Sequence, residues 1–155
     1  MSLATHRAAI VALLGGVADI GQVHAFERYA REESVFRALY LYTPAGGEQQ
    51  VRGWQVSNTA IDEHSNGRGR VVNTYTWRIR GFMSLADAQA SELTFDALVE
   101  AVRAAYRADP TLGGIAQPDD TLDGIQKADA GPVLFCGVLC HSALLNLNTR
   151  EYLAT

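Results

Sequence analysis

The chain has 155 residues, 48% hydrophobic and 19% charged, with a net charge of −4. This composition predicts one folded domain over residues 1–155 that needs no disulfide or metal, and it excludes a disordered chain. No apolar run reaches the roughly 18–20 residues of a membrane helix, no signal-peptide pattern opens the chain, and the acidic balance argues against a general nucleic-acid binder, so a soluble intracellular protein is expected.

Residues 4–14 read as a short amphipathic helix. Ala9, Ile10, Leu13 and Leu14 recur at helical spacing, Thr5 is placed to cap it, and Gly15-Gly16 stops it. Residues 33–42 fit two patterns. Val35, Phe36, Leu39 and Tyr40 make a helix face, whereas Phe36, Ala38, Tyr40 and Tyr42 alternate as in a strand; helix is preferred. Residues 44–50, with Pro44 and Gly46-Gly47, form a loop. Residues 51–61 carry strand-type side chains, with Trp54, Val56 and Ala60 on one side. Residues 71–79 alternate more cleanly, Val71, Tyr75, Trp77 and Ile79 against Val72, Thr74, Thr76 and Arg78. The polar, glycine-bearing residues 62–70 join these runs into a β-hairpin with a long tip.

Ser84 is expected to cap a long helix, with Asp87 at the capping-box position. Leu93, Phe95, Leu98, Val99, Val102 and Tyr106 form its buried face, and Asp109-Pro110 ends it. Residues 121–128 read as an edge strand. Residues 133–147 read as another strand, covered on both faces as far as Cys140, with Gly137 marking a bulge or a close backbone approach. The sum is an α+β fold: a mainly antiparallel sheet with a long β-hairpin and helices packed on one face. Leu98, Val102, Trp77, Phe135 and Leu139 are expected to meet in its core, and Trp54 and Trp77 to pack across the hairpin.

No residue pattern points to catalysis. Cys136 and Cys140, read as four apart in one strand, stand too far apart for a disulfide and lack a second zinc-ligand pair, so they read as buried apolar side chains. His6, His24, His64 and His141 sit on separate elements without a metal-ligand spacing. Asn66-Gly67-Arg68-Gly69-Arg70 lacks the Gly-Lys-Ser/Thr end of a phosphate loop and joins two strands. Asp119, Asp120 and Asp123 lack the calcium-loop spacing and read as a solvated turn. No catalytic residue, cofactor or metal is assigned. Charge does have a direction along the chain. Residues 1–80 carry nine Arg against seven acids, residues 81–155 four basic residues against ten acids, a polarity suited to head-to-tail contacts between copies. If the chain is an assembly subunit, the candidate interface residues are His64, Arg68 and Arg70 of the hairpin tip and Glu48 of the 44–50 loop; the other reading of the tip is a solvated turn.

The order of elements, with Gly53-Trp54 in one strand, Trp77-Arg78-Ile79-Arg80-Gly81-Phe82 in the next and an alanine-rich helix after it, resembles the small tail-terminator and neck (tail-completion) proteins of tailed bacteriophages. Asp109-Pro110-Thr111-Leu112-Gly113-Gly114 and Gly137-Val138-Leu139-Cys140-His141 are similar to segments of prophage members of that group. The resemblance implies a virion structural protein, assembled in the bacterial host cytoplasm. It would be one subunit of a homo-oligomeric ring, a hexamer by resemblance, that terminates the tail tube and supports head joining. Its implied partners are further copies of itself, the tail tube and the neck or connector proteins, with no membrane and no sequence-specific nucleic acid. The alternatives are another small phage neck or tail assembly protein or a non-viral α+β binding module, with a small enzyme ranked last.

Overall fold

The computed structural model describes residues 2–65, 67, 69–118 and 124–154. Helix α1 (Leu3–Gly15) is followed by strand β1 (Gln22–His24), helix α2 (Glu33–Ala38) and strand β2 (Leu41–Tyr42). The hairpin β3 (Gln50–Ser65) and β4 (Arg70–Ser84), helix α3 (Ser91–Ala108), and strands β5 (Gln126–Phe135) and β6 (Val138–Ala154) complete the order. The fold is α+β. Its sheet runs β1-β3-β4-β6-β5, with β2 also beside β3, and every pair is antiparallel except β1 with β3.

The alternation of β4 decides where the core lies. Tyr75, Trp77, Ile79 and Met83 share one face with Leu145 and Leu147 of β6, and on that face α1 contributes Ile10 and Leu14 while α3 contributes Phe95, Leu98, Val99 and Val102. Successive strand residues point to opposite faces, so Phe82 lies on the reverse side. There it joins a second, smaller cluster with Tyr40, Val51, Cys136 and Cys140, against which Phe36 and Phe135 pack. The two long helices thus share one face, whereas the six-residue α2 belongs to the reverse cluster through Phe36.

Several boundaries move for identifiable reasons. Ser2, not Thr5, caps α1, its hydroxyl accepting the Thr5 amide. Residues 33–42 divide into a helical turn and then the short β2. Ser84 does not begin the long helix. It stays in β4 opposite Cys140 and its hydroxyl accepts the Val51 amide at 2.9 Å, so strand pairing takes it from the capping role. Helix α3 starts at Ser91 after Ala90 adopts a left-handed backbone (φ 53°), and Leu93 consequently faces solvent. A bulge between Asn58 and Ala60 turns Ala60 to the reverse face, and the Asn58 side-chain amide donates to the carbonyls of Ala60 and Thr76 at 3.0 Å where the ladder is interrupted. Trp54 does not meet Trp77. It lies opposite Gly81 and stacks on Phe95, with ring centroids 6.0 Å apart.

The largest correction concerns residues 133–147, which are not one central strand. Cys136 and Gly137 both have positive φ (54° and 74°) and form a two-residue turn, with Phe135 paired to Val138. Residues 126–135 become an outer strand, and the apolar run is shared between two strands. Phe135 falls in the reverse cluster and Leu139 is exposed, so only Leu98, Val102 and Trp77 of the expected core group meet. The turn brings Cys136 and Cys140 into one buried cluster. Burial pushes the Cys136 thiol up to about 11 and the Cys140 thiol to about 12. Thiolate is the reactive form, so neither thiol should react with a thiol reagent in the native protein near pH 8, whereas both should react once guanidinium unfolds it. Labelling of either in the folded chain would contradict their burial.

Candidate functional site

The hairpin tip and the 44–50 loop stand at opposite ends of the sheet. Glu48 is exposed in the loop just before β3 begins; His64 is exposed at the far end of β3, and Arg70 is exposed where β4 starts. Sixteen residues of β3 separate the two regions, roughly 50 Å at about 3.3 Å per residue. Arg68 lies outside the described residues, as do Asp119, Asp120 and Asp123. Glu48 and Arg70 therefore do not meet within one subunit. Both signs of charge occur at each end, Asp62 and Glu63 with Arg70 at the tip, Glu48 and Asp19 with Arg52 at the loop.

Each end has its own scaffold. At the loop end, Asp19 Oδ1 accepts the Ala45 amide at 3.1 Å and the Tyr42 hydroxyl at 2.9 Å, and these bonds hold its carboxyl below the usual carboxylate range. Arg52 donates to the Asp19 carbonyl at 3.0 Å, and an open cleft of about 750 Å³ lies between this loop and the end of β4. At the tip end, Arg70 pairs with Ala154 and lines a smaller cleft with Gln117, Tyr152 and Leu153. The Asp109–Gly114 turn leads towards this region. The Asp109 carboxylate receives the Thr111 hydroxyl and the amides of Thr111 and Gly113, while Leu112, at φ 52°, is buried against the core.

Two polar constellations lie away from these ends, and neither is signalled by residue spacing because their partners are distant in the chain. Beneath α1, Trp77 Nε1 donates to Thr149 Oγ1 at 2.8 Å, and Thr149 Oγ1 lies 3.0 Å from His6 Nδ1. The Tyr75 ring sits edge-on to His6, and its hydroxyl donates to Glu151 at 2.8 Å. His6 Nε2 is buried with no hydrogen-bond partner among the described residues. Between α3 and β6, Ser91 Oγ accepts the Ala86 amide at 2.8 Å and lies 2.7 Å from His141 Nε2, fastening the loop before α3 to the sheet. The described residues contain no group of three His, Cys, Asp or Glu side chains able to hold a metal.

Burial pushes the His6 imidazole below its ordinary 6.5, partly opposed by the Glu151 charge and reinforced by the amino terminus. As pH falls below 6.5, the unfolded chain takes up the proton before the folded chain does, so this stability is present above 6.5 and is lost as pH falls towards the folded value. Guanidinium midpoints should therefore drop between pH 7.5 and 5.5, and His6→Gln should flatten that drop; an unchanged slope in the variant would remove His6 as its source.

The flanks of the sheet are the remaining feature. Among the described residues β5 pairs with β6 alone, and β3 from residue 59 to 65 pairs with β4 alone, so both strands present an exposed edge without a described partner. No family model and no curated protein matches the chain.

Proposed function

We propose that the chain is a virion structural subunit of a tailed bacteriophage, forming a ring at the head-proximal end of the tail that terminates the tail tube and supports head joining. The observation that carries this reading is the shape of the sheet. Its sixteen-residue strand β3 ends in exposed polar segments, and among the described residues one strand on each flank is open, a geometry that serves contacts between proteins better than it serves a small-molecule site. The segments that carry the resemblance support it in physical terms. Trp77 to Phe82 lies in the central strand β4 and supplies both clusters, the Asp109–Gly114 turn closes the end of α3, and Gly137 to His141 builds the β5–β6 turn and its return strand.

The reading is tested by deleting the gene from the phage or prophage that encodes it and examining particles by electron microscopy. Tails of uncontrolled length with unjoined heads, rescued by the chain supplied from a plasmid, are expected. Heads that fail to join tails of normal length would shift the assignment to another neck component, and normal infectious particles would overturn it.

A further inference from the structure

We infer that copies of this chain join edge to edge, the outer edge of β5 in one copy pairing antiparallel with the open half of β3 in the next, so that one sheet continues from copy to copy. The inference rests on the ring reading and names the surface that would build it.

An unpaired strand offers a row of backbone N–H and C=O groups ready to bond another strand. β5 is ten residues long, and all ten are exposed or only half-buried, along a flank that no other described strand covers. On the opposite flank β3 is closed in its first half, where β2 meets Gln50 and Val51 and β1 meets Gly53 to Gln55. Its second half, residues 59–65, is exposed throughout. The β5 flank shows the reverse arrangement. Where β6 runs beyond β5, Gln117 covers it, its amide donating to the Arg150 carbonyl at 2.9 Å and its side chain accepting the Tyr152 amide at 2.7 Å. Each flank is thus closed at one level and open at the other, and the open halves are of similar length.

Strand direction agrees with that pairing. β3 and β6 run one way, β4 and β5 the other. A neighbour generated by rotation about an axis along the sheet keeps those directions, so β5 meets a β3 of opposite sense without inversion. The contact is heterologous, the type that closes into a ring when the rotation closes. Through the ladders, Gln126 stands level with Asn146, Arg78 and Ser57, whereas the open half of β3 extends beyond that level to Ser65. Bringing the two edges together offsets neighbouring copies by about eight residues, roughly 26 Å. Over the four strands β3, β4, β6 and β5, about 4.8 Å apart, that offset tilts the strands by about 54° to the ring axis, steeper than the roughly 35–45° of closed barrels. The bulge at residues 58–60 falls where the closed half of β3 gives way to the open half, a place where bulges commonly end or redirect pairing.

The test uses the purified full chain. Light scattering after size exclusion gives its assembly state, and hydrogen exchange is compared between assembled and dilute protein. Amides in 59–65 and 126–131 should gain protection together on assembly, slowing by about tenfold or more. Ile61→Lys and Ala130→Lys, each at an exposed site on one open strand, should raise the concentration needed for assembly about tenfold while leaving the melting temperature unchanged. Leu93→Lys, at an exposed apolar site on α3, should leave assembly unaffected. A ring whose two edges exchange as they do in the monomer, or that tolerates both edge lysines, overturns edge pairing while the ring reading stands. A monomer at every concentration removes the ring itself, and edge pairing with it.

Discussion

Trp54→Ala should lower the free energy of unfolding by about 3–5 kcal/mol, the range for truncating a fully buried large aromatic. Trp54 has no exposed surface, stacks on Phe95 and donates its indole N–H to the Ile20 carbonyl at 3.0 Å, tying the segment before β1 to the sheet. The site cannot collapse cheaply, because the position beneath the ring is Gly81. A Cβ there would stand 2.6 Å from Trp54 Cε3 and Cη2, so the ring occupies the space a side chain would take. The same geometry predicts a coupling between the two positions. Gly81→Ala should cost about 1–3 kcal/mol by overpacking in the native background and less in the Trp54→Ala background, where the ring is gone. Guanidinium titration of the four proteins measures both effects. A Trp54→Ala loss below about 1 kcal/mol, or additive costs, would contradict the packing of Trp54 on Gly81.

What the sequence disclosed follows from which interactions are local. The alternation of residues 71–79 and the three- and four-residue spacing of Phe95, Leu98, Val99, Val102 and Tyr106 are properties of single elements, and the structure places those residues as the spacing predicts. The β5–β6 turn was hidden because Cys136-Gly137 lacks the Asn-Gly or Asp-Gly signature of a two-residue hairpin, and because two apolar strands in succession read like one buried strand. The role of Ser84 depended on a ladder partner, Cys140, that sequence spacing does not name. The polar segments 44–50 and 62–70 were legible as exposed, but strand pairing runs on to Ser65 and resumes at Arg70, so the long tip expected at 62–70 is shorter. Their separation to opposite ends of the sheet required the full length of β3. His6 read only as one of four scattered histidines; its partner Thr149 lies 143 residues away. The open edges were the least legible feature, since an edge is defined by the partners a strand lacks in a register set by the whole sheet.

Reversing the hairpin-tip charges should weaken docking onto the tail while sparing the fold. Arg70 is exposed and belongs to neither buried cluster, and Arg68 stands two residues before it in the sequence. Arg68→Glu with Arg70→Glu should therefore leave stability within about 0.5 kcal/mol of the native chain, as exposed substitutions do. An exposed ion pair across an interface contributes about 0.2–1 kcal/mol, and reversal replaces attraction by repulsion at two positions. A loss of about 1–3 kcal/mol, or roughly five- to hundredfold in affinity, follows for an acidic partner surface. Screening shortens the reach of these charges from about 10 Å at 0.1 M salt to about 3 Å at 1 M, so the difference between native and variant should shrink as salt rises. The open half of β3 runs up to Ser65, beside the tip, so ring formation by the variant is measured apart from docking. Co-sedimentation with purified tails at low and high salt, beside size exclusion of the free protein, separates the two steps. Native-level docking at low salt, with normal infectious particles from the double variant, would leave the tip as a solvated turn with no part in the assembly.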